Sequence, residues 1–169
     1  MIRLEEDPLP VGTTVSVLTL PQPWATIVVR GLKRYVNVPW PPSVESGDLL
    51  AIHALKKWTS EQRTLCTEHP GVRRALCICE RLPGTYGTAQ ELLPRRAVLA
   101  LMRVVTVQPA QNVATEDRRF EEDLGTFKQP RIAIRLSTLY IYSHPQRVEA
   151  PTKDALWDWH VSPDKPLGS

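Results

Sequence analysis

The residues best suited to chemistry lie in one stretch of the chain, between Leu18 and His53. It reads LTLPQPWATIVVRGLKRYVNVPW and, after a short break, SGDLLAIHALKKW. Lys33 follows an apolar run, where a charged lysine can hold a phosphate and a desolvated one has a lowered pKa. His53 ends a second apolar run, where it can act as a base or stack on a nucleobase. The alternative for His53 is a core histidine with satisfied hydrogen bonds.

Cations, amides and large rings alternate in the same stretch, which is the mixture used to bind single-stranded nucleic acid. Trp58 and Trp40 are available as stacking rings on the rim. We therefore predict RNA or another single-stranded nucleic acid as the partner, held in a basic cleft beside Lys33. The candidate contact residues are Gln22, Trp24, Arg30, Lys33, Arg34, Asn37, Trp40, Lys56 and Lys57.

Two further functions stay open from the residues alone. An enzyme would draw on Lys33, His53 and Tyr35 as its catalytic groups. A protein-interaction module with a degenerate pocket is the third possibility. None of the short phosphate-binding, dinucleotide-binding, zinc-protease or nucleophile-elbow motifs occurs in the chain.

One cluster has residue types that bind zinc. Cys66, His69, Cys77 and Cys79 are spaced as C-x2-H-x7-C-x-C. The last two fall within a predicted helix, where residues two apart point to different sides. We therefore expect buried free thiols, and predict no metal and no cofactor.

Composition agrees with a nucleic-acid partner without proving one. The 169 residues carry a net charge of +3, and arginine outnumbers lysine 15 to 6. Arginine suits phosphate and base edges, although a GC-rich genome would also raise its frequency. The longest apolar run is about six residues, far below the roughly 20 of a membrane span. The acidic N-terminus does not resemble a signal peptide, so we expect a cytoplasmic protein without membrane contact.

Periodicity and the 16 dispersed prolines predict many short elements. The residues Ile132, Ile134, Leu136, Tyr140 and Tyr142 alternate along one of them, which predicts a shared face. The pattern indicates an α+β fold whose five or six strands curl into a small barrel with flanking helices. We expect a lead-in at 1–13, one domain at 14–162 and a tail at 163–169. The predicted strands are 14–20, 33–38, 49–54, 97–107, 131–142 and 147–150, and the predicted helices are 23–31, two pieces in 59–82, and 115–124.

Several separated blocks resemble the ASCH (activating signal cointegrator homology) domain of the PUA-like superfamily. The first block is Gln22-Pro23-Trp24-Ala25 followed by Gly31, Lys33 and Asn37, and the second is Ile52-His53-Ala54. Weaker likenesses are LPRRAVLALMRVV (93–105), RIAIRL (131–136) and DALWDW (154–159). Together they cover about residues 15–160. The resemblance implies a small PUA-like β-barrel with a cleft for RNA or a modified nucleoside.

Some members of that family act as ribonucleases, or as amidohydrolases on acylated cytidine. In the amidohydrolase type a lysine matching Lys33 works with a threonine three residues later, where this chain has Val36. The family's arginine position is Val38. A valine neither passes a proton nor forms an ion pair, so that hydrolytic mechanism is not supported here. Binding is therefore the leading hypothesis, and a hydrolase with a divergent site is the alternative.

Overall fold

The computed structural model describes residues 9–39, 41–81, 93–114, 131–151 and 156–161. These residues form an α+β fold, which confirms the predicted class. The predicted helix at 115–124 lies outside the described residues. The strands are β1 (Thr14–Leu20), β2 (Tyr35–Val38), β3 (Leu49–Ala54), β4 (Ala97–Pro109), β5 (Ile132–Arg147) and β6 (Trp157–His160); the helices are α1 (Trp24–Val29), α2 (Ser60–Glu68) and α3 (Pro70–Arg81), with a 3₁₀ turn at Ala110–Asn112.

Among the described residues, six strands form one mixed sheet in the order β2-β5-β4-β3-β1-β6. β1 and β3 are parallel, and the other neighbouring pairs are antiparallel. A parallel pair needs a crossover between its strands, and α1 and β2 lie in that connection. Within the described ranges β2 and β6 remain edges. The strand number and the flanking helices thus match the prediction, whereas closure into a barrel is not seen.

Helix α1 covers one face of the sheet, which we call the inner face. The helix is apolar nearly all round, with five of its six residues buried, as expected for an element packed on more than one side. Ala25, Val28 and Val29 pack onto the inner core, and Ile27 faces a second cluster with α2 and α3. The inner core is formed by buried residues that include Leu18, Val36, Val38, Leu50, Ile52, Leu99, Met102, Val104, Ile134 and Leu136.

The opposite face, the outer face, has its own apolar cluster near β6. Trp157 and Trp159 alternate with exposed Asp158 and His160, so the two indoles point into the cluster. Antiparallel pairing with β1 fixes this register. Leu9 also packs into the cluster, so part of the predicted lead-in contacts the domain.

The expectation that Ile132 to Tyr142 share one face is wrong. Ile134 and Leu136 lie in the inner core, but Tyr140 and Tyr142 lie in the outer cluster. The register with β4 shifts between Thr138 and Tyr140, so Leu139 is an extra residue. Because side chains alternate with a period of two, one extra residue moves all later side chains to the other face.

The predicted short strand at 147–150 is also wrong. β5 continues to Arg147, and residues 148–150 form no strand. Val148 instead donates its backbone N–H to the carbonyl of Arg96. In the described part of the chain, no helix has the length and apolar character needed to cross a bilayer.

The inner core predicts a large stability difference between two truncations. Ile52 is fully buried at the centre of the sheet, so Ile52→Ala is expected to lower the free energy of unfolding by about 2–5 kcal/mol. Val11 is 65% exposed, so Val11→Ala is expected to change it by less than about 0.5 kcal/mol. Urea unfolding of both variants checks this. Equal losses would contradict the assignment of Ile52 to the core.

Candidate functional site

Gln22 connects three elements through its buried side chain and backbone. The side chain is 0% exposed. Its Oε1 accepts from the backbone N–H of Thr26 at 3.1 Å, and its Nε2 donates to the carbonyl of Pro94 at 2.6 Å. The side chain therefore caps the start of α1 and anchors the loop that leads into β4.

The backbone carbonyl of Gln22 has a third partner, Gln62 of α2. Gln62 donates from Nε2 to that carbonyl at 2.8 Å. Gln62 also completes a capping box: its Oε1 accepts from the N–H of Thr59, and its own N–H donates to the Thr59 hydroxyl. The loop before α2 is thus tied to the start of α1.

These two anchored loops bring together four residues that we call the Trp58 patch: Lys56, Lys57, Trp58 and Arg95. The Arg95 guanidinium carbon lies 5.7 Å from the centre of the Trp58 ring, within the range of a cation–π contact. Lys56, Lys57 and Arg95 are exposed, and Trp58 is half-buried. The indole nitrogen of Trp58 is buried, so any surface that its side chain exposes is carbon.

Lys33 lies beyond the other end of α1. Its side chain is only 7% exposed, and its backbone N–H donates to the carbonyl of Ile27 at 3.4 Å. Arg30 caps the C-terminus of α1 and is half-buried, like Arg34. Lys56, in contrast, follows Leu55, whose N–H is bonded to Leu20 on the N-terminal side of α1. Lys33 and Lys56 therefore belong to opposite ends of α1. The helix is about 9 Å long.

The two chemically interesting residues of β2 point away from α1. Tyr35 is buried on the outer face in a cluster with Ala110, Val113 and Ala133. Asn37 shares this face, since it lies two residues further along the strand. Val36 and Val38 point the other way, into the inner core. Trp40 lies outside the described residues, and Trp24 is half-buried against the cluster that also receives Trp58.

His53 is part of a hydrogen-bonded network in the core. The Trp157 indole donates to the Thr19 hydroxyl at 3.0 Å, and that hydroxyl lies 3.3 Å from Nδ1 of His53. Nε2 of His53 lies 2.7 Å from the carbonyl of Val148. A carbonyl only accepts, so Nε2 carries the proton and Nδ1 accepts from Thr19. The arrangement is that of a neutral core histidine with both nitrogens in use.

The surroundings of His53 favour this neutral form. Burial lowers the pKa of His53 below its ordinary value of 6.5, while the hydrogen bond to Val148 and the charge of Glu149 act in the opposite direction. The ring is also packed edge-on against Trp157, with 5.5 Å between the ring centres.

The three proposed catalytic groups do not lie together. His53 is on β3 and Tyr35 is on β2, with β4 and β5 between them. Three strand spacings place the two residues about 14 Å apart across the sheet. They are also offset along it, because His53 pairs with Val98 of β4 whereas Tyr35 is level with Thr106, eight residues or about 26 Å further on. Lys33 lies at the end of α1, next to the inner face. No single substrate atom is within reach of all three groups.

The cysteine cluster is dispersed in the described part of the chain. Cys66 and Cys79 are buried, whereas Cys77 is exposed. Nδ1 of His69 accepts from the backbone N–H of Val72. Burial raises the pKa of the Cys66 thiol to about 11, which disfavours the thiolate that a metal needs. No group of three metal-binding side chains occurs among the described residues.

Two residues of the site carry a local signal in the sequence. Thr59 and Gln62 have the T-x-x-Q spacing of a capping box directly before a helix. No local pattern links Arg95 to Trp58, 37 positions earlier. The contact depends on Gln22, which lies far from both in sequence.

We expect Gln22→Met to destabilise the protein more than the loss of one surface hydrogen bond does. The variant keeps the side-chain volume but leaves the Thr26 N–H and the Pro94 carbonyl without partners, which costs about 2–4 kcal/mol in total. Thermal unfolding of the variant measures this. Gln146→Met is the matched control, because the Gln146 amide donates to the carbonyl of His144, two residues away at the surface. Equal losses in the two variants would contradict the bridging role.

We also expect the stability to depend on pH through His53. The unfolded chain binds a proton near pH 6.5, whereas the folded chain binds it only at lower pH. The contribution of His53 to the free energy of unfolding is therefore fully present above pH 6.5. It is lost as the pH drops towards the folded pKa, by at most about 1.4 kcal/mol per pH unit. Urea unfolding from pH 7.5 to 4.5 measures this, with His53→Gln, which does not titrate, as the control. Identical pH slopes for the two proteins would contradict the assignment.

Comparison with known proteins gives a likeness at the level of structure. No protein-family model matches the chain, and no curated protein sequence matches it. The chain is similar to the crystal structure of ASCH from Zymomonas mobilis, with 12% identity, a TM-score of 0.42, and coverage of 78% of this chain and 72% of that one.

Two variants of the same Zymomonas mobilis protein also match. A tyrosine-to-phenylalanine variant gives 12% identity and a TM-score of 0.41, covering 78% of this chain and 74% of the other. A serine-to-alanine variant gives 10% identity and a TM-score of 0.46, covering 88% and 89%. No residue role is transferred at this identity. The family of these structures is the one that the sequence blocks of this chain resemble.

Proposed function

We propose that the protein binds RNA or another single-stranded nucleic acid through the Trp58 patch. The observation that carries this proposal is the contact between Arg95 and the Trp58 ring beside two exposed lysines. Lysine and arginine neutralise phosphates, and an indole face stacks on any base. A partly exposed ring among cations is therefore suited to an unpaired strand.

The patch is also held in place before any ligand arrives. Gln22 bonds to Pro94 next to Arg95, and Gln62 bonds to Thr59 next to Trp58. Residues held by buried hydrogen bonds lose less conformational entropy on binding than free loop residues. This supports a site that contacts the ligand with fixed groups.

The predicted contact residues divide into two roles under this proposal. Lys56 and Lys57 contact phosphates directly. Gln22, whose amide is buried and bonded, and Trp24, which packs against the cluster below the patch, hold the contact residues in position. Arg30, Lys33, Arg34 and Asn37 follow the C-terminal end of α1, away from the Trp58 patch, and have no role in the proposed site.

The hydrolase alternative has no supporting arrangement among the described residues. Lys33, His53 and Tyr35 lie apart, and the nitrogens of His53 already have hydrogen-bond partners. The binding function therefore has the stronger support.

A curled barrel is supported by the register shifts in β3, β4 and β5, because bulges increase the bending of a sheet. A cytoplasmic location stays a prediction from the sequence.

The test is fluorescence anisotropy of a labelled 12-nucleotide oligouridylate between 50 and 300 mM salt. Lys56→Gln/Lys57→Gln removes two phosphate contacts, so the slope of log Kd against log salt should fall by about 1.4. Trp58→Leu removes one stacking ring and should weaken binding by about 1–3 kcal/mol at every salt concentration.

Conservative variants provide the controls. Lys56→Arg/Lys57→Arg keeps both charges, and Trp58→Phe keeps an aromatic face, so each should bind more tightly than its disruptive counterpart. Circular dichroism shows whether each variant is folded. Unchanged affinity and salt slope in folded Lys56→Gln/Lys57→Gln and Trp58→Leu would overturn the proposed site.

A further inference from the structure

A second basic surface lies on the outer face, at the far end of β4 from the Trp58 patch. Register pairs Arg103 with Ser137, Thr106 with Arg135, and Gln108 with Ala133. Arg131 continues the row, since its carbonyl accepts from the N–H of Ala110. We call the row formed by Arg103, Thr106, Gln108, Arg131, Arg135 and Ser137 the arginine stripe.

These side chains share a face because of the strand geometry. Ile132, Ile134 and Leu136 point into or pack against the inner core, so residues 131, 133, 135 and 137 point outward. On β4, Val104 and Val107 belong to the inner side, and the register shift between Val104 and Thr106 turns Thr106 outward. From Arg131 to Ser137 the stripe extends about 20 Å.

The stripe has positive charge that its strands do not compensate. Neither β4 nor β5 contains an aspartate or a glutamate. At one end Arg103 donates to the carbonyl of Gly47, in a turn that also holds Glu45 and Asp48. In the described ranges, the part of the stripe without an acidic residue on its own strands or turn is therefore the part with Arg131 and Arg135.

Two polar atoms in the stripe are buried. Nε of Arg131 and Oγ1 of Thr106 are both withdrawn from solvent, and neither has a hydrogen-bond partner among the described residues. Arg131, Arg135 and Thr106 are half-buried, unlike fully solvated surface side chains. Buried polar atoms without a partner are costly, so these two groups need an explanation such as a water or an ion.

We propose that the arginine stripe binds the phosphate backbone of a nucleic acid, as a contact surface separate from the Trp58 patch. Guanidinium forks match phosphate oxygens. An extended row of cations fits a linear polyanion. The stripe lacks exposed aromatic rings among its members, so it contacts backbone and reads no base. The choice of nucleic acid as the polyanion rests on the proposed function.

The test compares two charge-matched double variants with a labelled 20-nucleotide oligouridylate. Arg131→Gln/Arg135→Gln removes two cations from the stripe. Arg73→Gln/Arg74→Gln removes two exposed cations from α3, on the side of the molecule covered by the helices. We expect the stripe variant to bind about tenfold more weakly at 100 mM salt and to lose about 1.4 from its salt slope. Equal effects in the two variants would overturn the proposal.

A second measurement uses the unaltered protein, in case the stripe variant does not fold. Phenylglyoxal modifies accessible arginines, and mass spectrometry of the peptides reports each site. We expect the 20-nucleotide strand to slow modification of Arg131 and Arg135 at least threefold, with little effect from inorganic phosphate at the same phosphate concentration. Equal protection by phosphate alone would show an anion site and overturn the assignment to a backbone.

The outcomes also separate this proposal from the proposed function. Weak binding by the stripe variant together with normal binding by Trp58→Leu would support the stripe and refute the Trp58 patch. Normal binding by the stripe variant together with weak binding by Trp58→Leu would refute the stripe alone. Absence of any binding by the unaltered protein would refute both.

Discussion

The arrangement of the proposed site depends on one buried amide. Gln22 donates to Pro94, accepts from Thr26, and offers its backbone carbonyl to Gln62. Three segments that are distant in sequence therefore meet at one residue that is inaccessible to solvent. Because a buried amide without partners is costly, each of these bonds constrains the others. The position of Trp58 relative to Arg95 follows from this constraint.

The second constraint is the period of two along the strands. A regular alternation would have placed Tyr140 and Tyr142 in the inner core, but the extra residue at Leu139 moves them to the outer cluster. The outer face of β5 is therefore aromatic towards its C-terminal end and basic towards its start. The bulge at Leu139 thus lies between the aromatic part of this face and its basic part.

The sequence predicted most of the elements, because apolar periodicity and proline boundaries are local signals. β1, β3 and the two helices from Ser60 to Arg81 lie where the pattern placed them. The bulge at Leu139 was not predictable, since it depends on pairing with β4. The chemical roles of individual residues were less predictable than the elements. Gln22 was chosen as a ligand contact from its residue type, but only the tertiary structure shows that Pro94 and Gln62 already occupy its polar groups.

The separation of the two basic surfaces bears on the size of the ligand. β4 has 13 residues, and Arg95 lies just before its start while Gln108 lies at its end. The strand spans about 40 Å. A nucleoside or a short oligonucleotide can therefore occupy one surface only. A longer strand can contact both, and the second contact then gains from the high effective concentration that the first one creates. Under the two proposals, affinity should increase with the length of the nucleic acid well beyond the few nucleotides that the Trp58 patch alone can cover. Binding measurements with strands of 6 to 30 nucleotides check this.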